Sequence, residues 1–116
     1  MSEQRITFVG GGNMARSLIG ALVRGGAPAT AITVAEPNAE LRTALARDFG
    51  VAVHDHARAA VEGAGVLVLA VKPQVLKDVC AEIAPAVAAT RPLVISIAAG
   101  ATMVRVGTLL FGARAT

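Results

Sequence analysis

Residues 6–26 read ITFVGGGNMARSLIGALVRGG, and this stretch decides the fold. A short apolar run, Ile6–Val9, meets three consecutive glycines, Gly10, Gly11 and Gly12. Apolar residues then recur at helical spacing. Met14, Leu18, Ala21 and Leu22 predict the inner face of a helix from Asn13 to about Arg24. A strand, a G-x-G-x-x-A turn and a helix form the arrangement that binds dinucleotides. Gly10 permits the tight turn off the strand. Gly12, with no side chain, lets the helix N-terminus approach a pyrophosphate, and Ala15 in place of a third glycine still allows close helix–strand packing. Backbone N–H groups at Gly12, Asn13 and Met14 lack helical partners and so point at the anion, which the helix dipole also favours.

The pattern continues outward from this junction. Gly25, Gly26 and Pro28 end the helix. Ile32–Ala35 predicts a second strand, and PNAELRTALARDFG (37–50) a helix with Asn38 as N-cap, Leu41, Leu45 and Phe49 as its apolar stripe and Gly50 as its stop. Val51–His54 predicts a third strand and Ala57–Glu62 a small helix. VLVLAV, Val66–Val71, is apolar throughout, as a central strand covered on both faces must be. PQVLKDVCAEIAPAVA (73–88) predicts a helix with Val75, Val79 and Ile83 inward, and PLVISIA (92–98) a fifth strand. The fold class is therefore α/β: a Rossmann-type parallel sheet of about five strands, helices on both faces and right-handed crossovers. No repeat or linker divides residues 1–116, so one dinucleotide-binding domain is expected. In GATMVRVGTLLFGARAT (100–116), Met103, Val106 and Leu110 have helical spacing, with Gly107 opposing a helix.

Hydrophobic residues make up 54% of the chain and charged residues 16%, which suits elements buried on more than one side. Glu62, Lys72 and Arg91 break up the richest region, so no apolar run reaches the roughly 18 residues of a membrane span. Met-Ser-Glu-Gln-Arg lacks the layout of a signal peptide. Cys80 is the lone cysteine, which excludes an internal disulfide and fits a reducing compartment, so cytoplasm is expected. The net charge of +3 comes from basic residues spread singly from Arg5 to Arg114, with no aromatics interleaved, which argues against nucleic acid. His54 and His56 have no second ligand pair at metal spacing, and Cys80 reads as a small core residue rather than a catalytic thiol.

Glu36 closes the second strand 24 residues beyond Gly12, near where an acid hydrogen-bonds the adenosine ribose. Its plainer reading is a strand-end glutamate beside a helix start. A carboxylate at the ribose repels the extra phosphate of NADP and favours NAD, while Arg42, one turn into the next helix, offsets that charge.

Three segments, ITFVGGGNMARSLIGALVRGG, LAVKPQVL (69–76) and VISIAAG (94–100), resemble the signature segments of the N-terminal half of pyrroline-5-carboxylate reductase. That enzyme family performs the last step of proline biosynthesis, and the resemblance runs from Ile6 to Gly100. It implies that Val9, Gly10, Gly11, Gly12, Asn13, Met14 and Ala15 line the pyrophosphate and that Glu36 meets the ribose. It further implies cofactor contacts at Ala70, Val71, Lys72 and Pro73, and contacts near the nicotinamide at Ile97, Ala98 and Ala99. Lys72 has two readings: attraction of a phosphate or substrate carboxylate, or a stem packed beside Pro73 with its charge in solvent. Where the family often carries an adenosine-contacting asparagine, this chain reads HDHARAA (54–60), so the contact is missing or falls to His56.

The resemblance implies an oxidoreductase that uses NADP or NAD to reduce a small imine, 1-pyrroline-5-carboxylate, to proline. In the family a further strand, a Met-Pro-Asn-Thr-Pro stretch and a helical domain follow, forming the dimer and much of the substrate site. Residues 101–116 depart from that pattern, so the chain is expected to represent the cofactor-binding part, with no catalytic residue assigned. A homo-oligomer is implied for a full-length relative, and uncovered apolar sheet predicts self-association. The alternative is a non-catalytic nucleotide-binding module. A methyltransferase fits less well, since its glycine loop usually follows an acid that ITFV lacks.

Overall fold

The computed structural model describes residues 5–98 and 101–105, with side chains from Arg5 to Ile97. Strand and helix alternate as β1 (Ile6–Val9), α1 (Asn13–Arg24), β2 (Ile32–Ala35), α2 (Ala39–Phe49), β3 (Ala52–His54), α3 (Ala57–Val61), β4 (Val66–Leu69), α4 (Pro73–Thr90), β5 (Leu93–Ala98) and β6 (Ala101–Arg105). The strand order is β3-β2-β1-β4-β5-β6. The first five strands are parallel, as their alternation with helices requires. β1 lies between β2 and β4, so the chain winds one way from β1 and then the other, and the crevice between the two directions opens at the C-terminal end of β1.

The sixth strand corrects the helical spacing read in residues 100–116. Ala101–Arg105 runs antiparallel to β5, pairing Ala98 with Ala101 and Val94 with Arg105. Thr102 and Val104 are β-branched, and the edge of β5 offers a row of backbone groups to pair with. Met103 is thus on a strand, while Val106, Gly107 and Leu110 lie outside the described residues.

Successive strand residues feed opposite faces. Phe8 packs with Ile19 of α1, Leu45 of α2, Ile32, Val34 and Val68 on one face. Val9 packs with Val61 of α3, Ile83 and Val87 of α4, Leu67, Leu69 and Val94 on the other. Thr7 is buried on that second face, and its hydroxyl donates to the Ala60 carbonyl at 3.0 Å. Cys80 is buried in the second core, as expected, and burial pushes its thiol up, away from a reactive thiolate.

The buried stripe of α1 differs from the expected one. Ala15, Ile19 and Gly20 face inward, while Met14 and Leu18 are 38% and 37% exposed. Small residues bring α1 close to its neighbours: a side chain begun at Gly20 would lie 3.5 Å from the Phe49 ring. Leu41 and Val75 are likewise exposed, leaving Leu45 and Ile83 as the deep anchors of α2 and α4. Asn38 caps α2 as expected, accepting the Leu41 N–H at 3.0 Å.

A surface link ties α1 to α2. Arg16 pairs with Asp48 and lies 5.0 Å above the Phe49 ring, and Arg47 donates to the other Asp48 oxygen at 2.9 Å. Hydrogen bonds from Arg47 and then Arg16 hold the Asp48 carboxyl down to about 2. An unfolded aspartate titrates near about 4. The folded value is depressed, so the contribution is present above about pH 4 and is lost as pH falls toward 2. Melting temperature should therefore decline across that window, and more shallowly in Asp48→Asn. Equal slopes in the two proteins would show that the pair contributes nothing to stability.

Candidate cofactor site

Each glycine of the turn has its own physical reason. Gly10 has φ +104° and donates its N–H to the Ala35 carbonyl at 2.8 Å. A Cβ there would lie 2.3 Å from the Ala70 carbonyl oxygen, so the turn is pressed against the end of β4. Gly11 is buried, and its N–H donates to Oε1 of Glu36 at 2.7 Å. A Cβ at Gly11 would meet Leu45 at 2.9 Å and the Glu36 Cβ at 3.2 Å. Gly12 is different: among the described residues, nothing lies within 4 Å of where its Cβ would be.

Gly12 is the N-cap of α1, with no side-chain cap and no acid in the first turn. Gly12, Asn13 and Met14 are exposed and Ala15 is buried against the sheet. The first turn of α1 is therefore exposed at the positive end of the helix, the kind of position that favours an anion such as a phosphate group.

Glu36 stands beside the glycine turn, half-buried at the end of β2. Its Oε2 accepts the Asn38 N–H at 3.0 Å, while Arg42 Nη1 donates to the carbonyls of Glu36 and Pro37, each at 2.9 Å. The Glu36 N–H donates to the His54 carbonyl at 2.9 Å, so the end of β3 is attached as well.

The opposite wall begins at Ala70, whose N–H donates to the Val9 carbonyl at 2.8 Å. Val71 is close enough that its Cγ1 would sit 3.1 Å from a Cβ at Gly10. Lys72 is the N-cap of α4 with Pro73 following it, and both are exposed. Lys72 makes no ion pair among the described residues. The β4–β5 register pairs Leu69 with Ser96, which places Ile97 level with Ala70. Ala98 ends β5, and Ala99 lies outside the described residues. His56, the N-cap of α3, is exposed beside Asp55, and no group of metal-ligating side chains forms among the described residues.

The fold thus brings residues 9–15, Glu36 and residues 70–73 to one edge of the sheet, around β1. Sequence reasoning did not find the Glu36–Gly11 bond or the packing reason for Gly11. Both depend on residues 25 or more apart in the chain.

A parallel sheet reversing direction at β1, with a glycine turn opening a helix N-terminus at that point, defines a Rossmann-type dinucleotide-binding domain. The chain belongs to the family described as NADP oxidoreductase, coenzyme F420-dependent, whose model matches residues 5–100. It is 48% identical over 100 residues to the pyrroline-5-carboxylate reductase of Pseudomonas aeruginosa, the match covering 86% of this chain and 36% of that protein. It is 43% identical over 111 residues to the enzyme of the same name from Vibrio alginolyticus, covering 95% of this chain and 40% of that protein. The solved structure of a pyrroline-5-carboxylate reductase from Coxiella burnetii matches with a TM-score of 0.80 at 36% identity, covering 84% of this chain and 36% of that one. The resemblance read from the three segments is borne out. The chain spans well under half the length of these relatives and corresponds to their N-terminal cofactor-binding part. No helix among the described residues is long and apolar enough to cross a membrane.

Proposed function

We propose that this chain holds the nicotinamide cofactor of a pyrroline-5-carboxylate reductase, the cofactor being the hydride donor that reduces the C=N bond of 1-pyrroline-5-carboxylate to give proline. One observation carries the reading: the open, uncapped first turn of α1 behind Gly10–Gly12, at the point where the sheet reverses. The amides of Gly12, Asn13 and Met14 receive the pyrophosphate, with Val9, Gly10, Gly11 and Ala15 shaping the turn around it. Glu36 receives the adenosine ribose. Ala70, Val71, Lys72 and Pro73 form the wall on the β4 side, with Ile97 toward the nicotinamide, and the family resemblance assigns Ala98 and Ala99 the same part.

Bound cofactor supplies the hydride, and the protein's task is mainly to hold that donor in position against the imine carbon. No residue of this chain is assigned a catalytic role. We assign the walls of the imine site and the homo-oligomer contacts to the part of the relatives that lies beyond this match. A cytoplasmic setting is proposed on the lone free cysteine, Cys80. The cofactor is NAD in preference to NADP, because the Glu36 carboxylate opposes a 2′-phosphate and Arg42 is partly committed to the Glu36 and Pro37 carbonyls.

The chain contains no Trp or Tyr, so the test reads the fluorescence of the reduced cofactor itself. Titration should give saturable binding of NADH, with NADPH weaker by about tenfold, equivalent to about 1.4 kcal/mol. Absence of binding by both would overturn the reading. Turnover of the imine alongside binding would separate a reductase part from a nucleotide-binding module.

A further inference from the structure

We propose that Glu36 is a positioning residue for the phosphate cradle, beyond its part at the ribose: its carboxylate holds the glycine turn in the shape that opens α1. The inference rests on the reading that this turn receives a dinucleotide. The turn has two amides directed back into the protein. Gly10 donates to the Ala35 carbonyl at 2.8 Å, and Gly11 donates to Glu36 Oε1 at 2.7 Å. The following amides, of Gly12, Asn13 and Met14, have no acceptor among the described residues, and all three residues are exposed.

Only the second of these bonds uses a side chain, and an ionised acceptor makes it one of the stronger hydrogen bonds available. Glu36 is well placed to act as a fixed point. Its backbone N–H is bound to His54 and its carbonyl to Arg42, while Oε2 is held by the Asn38 N–H. Glu36 is therefore anchored to the end of β3 through its backbone and to the start of α2 through its carboxylate, and it passes that anchorage to the turn. Gly11 completes the fit, because a side chain there would collide with Leu45 and the Glu36 stem.

The two roles are compatible. A carboxylate offers about four acceptor positions, and two backbone bonds leave two for ribose hydroxyls. The clamp also means that the carboxylate cannot swing aside for a 2′-phosphate without releasing Gly11.

The test compares adenosine with ADP, which differ by the pyrophosphate, by NMR titration of the wild-type chain, Glu36→Ala and Glu36→Gln. A residue that serves the ribose alone weakens both ligands by one factor. A clamp on the turn weakens ADP more. We expect Glu36→Ala to shrink the ADP-over-adenosine advantage by about tenfold, and Glu36→Gln, which keeps one oxygen for Gly11, to restore most of it. An unchanged advantage in Glu36→Ala would overturn the clamp. If Glu36→Ala does not fold, Glu36→Asp, which withdraws the charge by one methylene, carries the same comparison. If the wild-type chain binds neither ligand, the cofactor reading fails, and the clamp is judged on the free protein. Exchange of the Gly11 amide should then accelerate at least tenfold in the variant while β1 and β2 amides stay protected. Equal Gly11 exchange in the two proteins would overturn it.

Discussion

Replacing Gly10 with alanine should destabilise the fold by about 3 kcal/mol or more and remove cofactor binding with it. The backbone at Gly10 sits at φ +104°, outside the regions that residues with a Cβ adopt easily. That alone costs about 1–3 kcal/mol. The new methyl carbon would also stand 2.3 Å from the Ala70 oxygen and 2.9 Å from its carbonyl carbon. These are backbone atoms, and the same residue's N–H is bound to Val9 at 2.8 Å, so β4 cannot retreat without breaking its pairing with β1. Thermal unfolding should show a fall on the order of 10–20 °C for a domain of this size. A melting temperature within about two degrees of the wild type would mean that the turn is not held against β4.

Gly12→Ala should do the reverse: keep the fold and lose the cofactor. Gly12 has φ −79° and ψ −163°, an extended conformation open to any residue. Its missing Cβ has nothing within 4 Å among the described residues, so alanine creates no clash with them. The reduced freedom of the unfolded chain favours alanine, and the poorer N-cap disfavours it, so stability should stay within about 0.5 kcal/mol. On the proposed placement of the pyrophosphate, the new methyl group would stand at the N-cap that the ligand approaches. NADH affinity should then fall about tenfold or more, about 1.4 kcal/mol. Wild-type affinity in this variant would place the pyrophosphate somewhere else. Those two outcomes together would assign two glycines separated by one residue to different ends, Gly10 to the fold and Gly12 to the ligand.

The contrast marks how far the sequence is legible. Gly10 and Gly12 could be read because a sharp turn and a bare helix start are properties of the local chain. The order of strands and helices could be read for the same reason, since periods of two and 3.6 residues are set by the backbone. Asn38 and Leu45 were placed correctly on that basis. The inner face of α1 was not, because hydrophobicity gave weight to Met14 and Leu18, whereas close packing selected Ala15 and Gly20. β6 was not legible either. Its five residues are a strand because the edge of β5 pairs with them, whereas the helical spacing read in the sequence ran from Met103 to residues beyond the strand.

By itself the sequence determined a Rossmann-type alternation, the glycine turn and the acid at the end of the second strand, because each is encoded within a dozen or so neighbouring residues. Only the tertiary structure decided what that acid touches. Gly11 and Glu36 are 25 residues apart, and their bond exists because parallel pairing of β1 with β2 brings both strand ends to the same edge of the sheet.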